Sequence, residues 1–292
     1  MVNSTGTDTA NGTALKNAMD AISGSNTTPT VVQLAAGIYD MGVNTHTMKP
    51  HVTLRGLGRK VTRITGAATI LVQAGDEAVM RDLRLSSSAS GVTLMRLQSG
   101  VFMDCYRMDF ELGQSGGGSG TSLRVQGGSE IDLTLCSFSG DTNNNGGSRT
   151  AIWVSGSGSA AYIQQCLLDM IEESQTGALT AILTASGAEV DLYNSDILME
   201  RDTASANGSD VTALSVGSGS RIITKNCSVR ATINDACGSS FGIVVTKGAS
   251  AGALSGFATL YEGDFLPNTS EYYTDNYNQL TLSQCSVNFT DL

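Results

Sequence analysis

Proline, aromatic residues and charge are all scarce in this sequence. Only 3 prolines occur in 292 residues and no long polar linker divides the chain, so one extended domain is the simplest organisation. Charged residues make up 15% and aromatics 5%, both low for a soluble enzyme. No run of about 18 apolar residues occurs, which excludes a membrane-spanning helix. The opening Met1-Val2-Asn3-Ser4-Thr5-Gly6 has neither a basic nor an apolar signal region, so a secretory leader is absent or already removed. Positive charge is short as well. With 17 Lys and Arg against 27 Asp and Glu, the net charge of −10 repels polyphosphates, which argues against nucleic acid and anionic membrane as partners.

What the sequence has in excess is glycine, 34 residues, set among Ser, Thr and Asn at regular intervals. Between these small-residue clusters one strand recurs: Thr93-Leu94-Met95-Arg96-Leu97, Ser122-Leu123-Arg124-Val125, Ala151-Ile152-Trp153-Val154, Ala181-Ile182-Leu183-Thr184, Ala213-Leu214-Ser215-Val216 and Gly242-Ile243-Val244-Val245. The aliphatics Leu94, Leu123, Ile152, Ile182, Leu214 and Ile243 follow one another at 29, 29, 30, 32 and 29 positions. Each segment runs into a Gly-rich corner such as Gly127-Gly128-Ser129 or Gly217-Ser218-Gly219, where glycine allows the positive φ of a tight bend. A second strand follows, as in Ile131 to Phe138, Tyr162 to Leu168 and Ile222 to Val229. Its end residues Phe138, Leu168, Ile197, Val229 and Val287 step by 30, 29, 32 and 58. A fixed period near 29 residues is the signature of a solenoid in which each coil's inward side chains are covered by its neighbours. The expected fold is therefore all-β, a right-handed parallel β-helix of about eight coils counted from Val52. At the strand spacing such a rod is about 40 Å long.

Leu15, Ala18, Met19 and Ile22 fall at helical spacing, and Asn11 and Thr13 offer capping oxygens, so a short helix is expected near residues 12–23. It would close the N-terminal end of the core, with regular coils over 31–255 and a Tyr-rich loop plus a final coil over 256–292. That final coil, Leu280 to Phe289, has no amphipathic helix after it. Its exposed edge would be covered by the Tyr-rich stretch, by another subunit in end-to-end or trimeric association, or by the rest of a longer chain.

The leading helix, the strand ending Gly37-Ile38-Tyr39-Asp40 and the stretch Met48-Lys49-Pro50-His51-Val52-Thr53-Leu54-Arg55-Gly56-Leu57-Gly58 resemble the opening of the pectate-lyase-like and pectinesterase-like β-helix superfamily. The resemblance is closest to bacterial surface or secreted β-helix repeat proteins, covers the first hundred residues, and implies architecture rather than chemistry. The Asp-Phe-Ile-Phe-Gly-like and Leu-Gly-Arg-Pro-Trp-like segments of pectinesterases are missing, and the single tryptophan, Trp153, lies in the repeated strand.

Three features are candidates for function. Just past the second-strand ends lie Glu111, Asp141, Glu172 and Glu200, with Glu173 and Asp202 adjacent. Stacked carboxylates raise one another's pKa, as a glycosidase acid and its partner base require, or recruit Ca²⁺; the same acids also suit a solvated corner that keeps the rod soluble. No other cofactor is implied. Gly- and Asn-rich connections at Gly113 to Gly120, Gly140 to Gly147 and Thr203 to Asp210 project from one side and suit ligand recognition. Tyr261, Tyr272, Tyr273 and Tyr277 cluster near the end of the chain, where they either stack on sugars or a protein neighbour or pack over the coil end.

Of the six cysteines, Cys136, Cys166, Cys227 and Cys285 share one ladder position, Cys105 lies one residue off it and Cys237 stands in a turn. Without a C-x-x-C pair, and with two distant histidines, no zinc site is expected. Stacked buried thiols or a disulfide between neighbouring coils remain. Two functional classes follow. The first is a non-catalytic rod on a cell surface or phage tail, outside the cell, for adhesion, glycan recognition or assembly. The second is a polysaccharide lyase or glycoside hydrolase acting through the carboxylates.

Overall fold

The computed structural model describes the chain except residues 5, 26, 114–117, 142–146, 173–176, 202–210, 234–239, 246–256, 268–269, 275–279 and 288–292. It is a right-handed parallel β-helix with one helix near its N-terminus. Among the described residues the strands form a 17-stranded and a nine-stranded parallel sheet. Each regular coil carries three strands, not the two expected. In one coil these are Glu130–Thr134 on a first face, Ser137–Asp141 on a second and Arg149–Ser155 on a third. The first two faces belong to the larger sheet and the third is the nine-stranded sheet.

The extra corner divides the segments taken as one strand, Ile131 to Phe138 and Tyr162 to Leu168. It turns on a single left-handed residue per coil: Asp82, Arg107, Leu135, Gln165, Asn194 and Asn226, with φ between 48° and 59°. None is glycine; Asp82, Asn194 and Asn226 are types that tolerate the left-handed region, whereas Arg107, Leu135 and Gln165 do not mark the bend. Stacking holds it. The N–H of Leu135 donates to the Gln164 carbonyl, that of Gln165 to Tyr193 and that of Asn194 to Lys225, each about 3 Å away in the next coil. The following N–H has no backbone acceptor, and a side chain supplies one. Cys136 N–H donates to Cys166 Sγ at 3.4 Å, and Cys166 N–H to Ser195 Oγ at 3.0 Å. This bond explains why small thiol or hydroxyl residues recur there. Cys105 lies farther from that ladder than expected, on the inward side of Phe102–Tyr106 opposite Leu133.

Inward positions form continuous columns. Met95, Leu123, Ile152, Ile182, Leu214 and Ile243 are successive partners on the third face. Met95 rather than Leu94 is the partner of Leu123, although both are buried, and the column continues through Val72 to His46. On the second face Phe110, Phe138, Leu168, Ile197 and Val229 align, and the Phe110 and Phe138 rings stack at 4.5 Å. Burying each such side chain contributes about 1.5–3 kcal/mol, and because each is covered by its neighbours the contribution is collective.

The helix runs Asp8–Asp20, earlier than expected, with Thr7 rather than Asn11 or Thr13 as its cap, its Oγ1 accepting from Ala10 N–H. Asn11 instead donates to the Ile38 carbonyl. Leu15 and Met19 enter the core and close its end. Gly12 makes the close approach feasible, since a Cβ there would lie 1.9 Å from the Asp40 carbonyl oxygen. At the other end, the stretch expected to be a Tyr-rich loop contains strands Phe257–Pro267 and Ser270–Thr274, which continue the sheets.

Candidate functional site

Stacking dictates the inward residues, so chemistry that varies along the rod lies on the outward ones. The register places the four expected carboxylates in three columns instead of one. Glu111 lies between Ser86 and Ser139, where Arg84 pairs with it at 2.6 Å. Asp141 and Glu200 share a column, but Ile171 stands between them, which sets them about 9.5 Å apart. Glu172 is one place further on, opposite Arg201. The corner at Leu135 and Gln165 adds a third strand to each coil, and this shifts the acids out of a common column. The side chains of Asp141 and Glu172 lie outside the described residues, as do Glu173, Asp202, Tyr277 and the side chains of Tyr261, Tyr272 and Tyr273.

Carboxylates do stack, on the first face. Asp104, Asp132, Tyr162 and Asp191 are successive partners in one column, with Glu130 and Glu189 beside it. Burial raises the pKa of Asp104. It raises that of Asp132 too, helped by the charges of Asp104 and Glu130. Asp191 is raised by burial while Arg221, which pairs with Glu189 at 2.7 Å, pulls it back. Phe102, Glu130, Asp132, Tyr162 and Tyr193 line a shallow cleft of about 380 Å³ here. The repeated apolar-spaced pairs Glu130-Ile131-Asp132 and Glu189-Val190-Asp191, two coils apart, were the sequence signal for this file. Among the described residues no three acids, histidines or cysteines are placed to hold a metal ion.

The third face has the opposite character. Its outward residues form three columns. Thr93, Thr121, Thr150, Thr180 and Thr212 make one. Gln73, Arg96, Arg124, Trp153, Leu183 and Ser215 make the second. In the third, Gln126 lies over Ser155 and donates to Gln98 at 3.4 Å. Arg96 is held by Gln73, Nε to Oε1 at 2.8 Å, and the Arg124 guanidinium lies 4.0 Å from the centre of the Trp153 ring. Such a cation–aromatic contact contributes about 0.5–2 kcal/mol and fixes both planes. Burial, and then the charge of Arg96, lowers the Arg124 pKa. Arg124 Nε and Trp153 Nε1 are buried donors with no partner among the described residues. No carboxylate occupies any of these described outward positions.

Of the connections expected to carry recognition, Thr203 to Asp210 and residues 114–117 and 142–146 lie outside the described residues, and the described ends at Gly118 and Gly147 lead into the third face. Arg149, 1% exposed, ties these ends down by donating from Nη1 to the carbonyls of Gly118, Gly147 and Ser148. Sequence inspection missed the arginine–tryptophan row, since aligning Leu94 with Leu123 and Ile152 sets Arg96 one place out of line with Arg124 and Trp153.

No protein-family model and no curated protein matches the chain. Solved structures do. Pectin methylesterase from Yersinia enterocolitica aligns over 90% of this chain and 94% of its own, with a TM-score of 0.54 and 12% identity. Pectin methyl esterase from rice weevil aligns over 94% and 85%, with 0.53 and 15%. The carrot pectin methylesterase aligns over 94% and 84%, with 0.52 and 14%. At these identities the shared property is the β-helix fold.

Proposed function

We propose that this chain is an extracellular glycan-recognising β-helix that holds an acidic polysaccharide along the outer third face. The observation that carries the reading is the row Arg96, Arg124, Trp153, flanked by Gln98 and Gln126 and by the threonine column. Guanidinium groups pair with carboxylate or sulfate in planar geometry, indole stacks on sugar faces, and amides and hydroxyls bond ring hydroxyls. A repeating face suits a repeating ligand. The described outward positions of this face carry neither carboxylate nor histidine. The fold's pectin-acting neighbours make a polyuronate the natural first ligand. Affinity electrophoresis through gels containing polygalacturonate, alginate or a neutral glucan tests this. Retardation is expected in the acidic gels and to fade with salt; equal mobility in all three contradicts the reading.

One observation favours a second reading, glycan cleavage. The Asp104–Asp132 pair has the raised pKa values that acid–base chemistry uses, in a cleft with Tyr162 and Tyr193. Glu111, Asp141, Glu172 and Glu200 are its alternative carboxylates. Release of reducing ends that Asp132→Asn abolishes would support the pair. Release abolished only by Glu172→Gln with Glu200→Gln would move the chemistry to the second face.

A further inference from the structure

We infer that Cys136 and Cys166 form a redox-modifiable pair that closes into a disulfide between neighbouring coils. The two occupy the same corner position one coil apart, with Leu167 N–H donating to the Cys136 carbonyl and Cys136 N–H donating to Cys166 Sγ at 3.4 Å. In-register neighbours on adjacent parallel strands lie about 4.8 Å apart, inside the roughly 4.4–6.8 Å range of Cα separations that a disulfide spans. Both thiols are reduced, and 2% and 3% exposed. They nevertheless line an open cleft of about 520 Å³ with Arg59, Arg107, Gln165 and Asn194, so a small reagent can reach them.

The neighbours make the pairing selective. The next coil carries Ser195 at this position, so Cys227 is two coils from Cys166, about 9.5 Å away and out of range. Cys105 is on a different, inward position, with its Sγ 4.0 Å from Met95 Sδ. Within the pair the sulfurs are unequal. Hydrogen bonds from the thiol and N–H of Cys136 lower the pKa of Cys166, while burial raises that of Cys136. Cys166 is the attacking thiolate and Cys136 the resolving thiol.

With a low-molecular-weight disulfide such as oxidised glutathione as oxidant, Cys166 Sγ attacks one sulfur and expels the first thiolate, leaving a mixed disulfide. Cys136 then gives its proton to solvent and attacks Cys166 Sγ, which expels the second thiolate. Two protein thiols are oxidised to one disulfide and the small disulfide is reduced to two thiols.

The test equilibrates the full reduced chain with oxidised glutathione, blocks the remaining thiols with an alkylating reagent and maps the peptides by mass spectrometry without reduction. A Cys136–Cys166 linked peptide is expected in the wild type and in Cys227→Ser, with an unfolding midpoint in urea above that of the reduced form. In Cys166→Ser, which places the native Ser195 side chain type one coil earlier, both the link and the shift should vanish. Recovery of Cys136 and Cys166 as separately alkylated residues overturns the inference. So does glutathione retained on Cys166, or a link from either residue to another cysteine. The wild-type and Cys227→Ser maps decide the matter even if Cys166→Ser fails to fold.

Discussion

The first and third faces of the rod cover the same aliphatic cylinder with the same strand geometry, yet one presents stacked aspartates and tyrosines and the other stacked arginines and a tryptophan. The contrast separates two kinds of constraint. Inward residues are set by the coils above and below, whereas outward ones are free to hold like charges at strand spacing. Arg96 beside Arg124, and Asp104 beside Asp132, each disfavour the charged state of a neighbour. Such arrangements carry an electrostatic cost that the packing of the aliphatic cylinder does not require.

The largest expected effect tests the inward half of this claim. Replacing Ile152 by Ala removes one rung of a continuous column and should cost about 2–5 kcal/mol in urea unfolding. Leu183→Ala, outward on the neighbouring strand, should cost under about 1 kcal/mol, and equal losses would erase the distinction.

The N-terminal end of the inward side is acid-sensitive. His46 is buried with its Nε2 unpartnered among the described residues, and burial lowers its pKa to about 4. The unfolded chain takes a proton below the ordinary value near 6.5 while the folded chain resists until about 4. Stability is therefore full above pH 6.5 and falls as pH drops through this window, by about 3 kcal/mol in all. Urea titrations at pH 7 and pH 4 should show that loss in the wild type and less of it in His46→Asn.

Much of the fold was legible because stacking repeats apolar residues at the coil period: Leu123, Ile152, Ile182, Leu214 and Ile243 are partners as expected, and so are Phe138, Leu168, Ile197 and Val229. The corner at Leu135 and Gln165 was not, since left-handed backbone usually announces itself by Gly or Asn and here is imposed by the hydrogen bonds of adjacent coils. The site suffered most from that omission. Once the corner is unseen the outward register slips, and Glu111, Asp141 and Glu172 are read as neighbours although they stand in different columns.

Two smaller effects sharpen the picture. Leu135 is 37% exposed and sits at φ 57°, so Leu135→Gly should relieve about 1 kcal/mol of backbone strain and raise the melting temperature. A fall would show that its side chain contributes more than its backbone costs. Because the folded chain holds a proton on Asp132 more tightly than the unfolded one, stability declines as pH rises through the ordinary carboxylate value toward the raised one. Asp132→Asn should therefore stabilise the protein at pH 7 and not at pH 3. The reverse pattern would mean that the acidic column is not self-repelling.

The outward row of the third face is the proposed glycan-holding surface. Isothermal titration of a polyuronate into the wild type, Arg96→Ala/Arg124→Ala and Asp104→Asn/Asp132→Asn measures this directly. The arginine variant should bind at least tenfold more weakly, as expected for losing charge-assisted hydrogen bonds of about 1.5–3 kcal/mol each, while the aspartate variant binds as the wild type does. Undiminished binding by the arginine variant, or binding lost only in the aspartate variant, would contradict it.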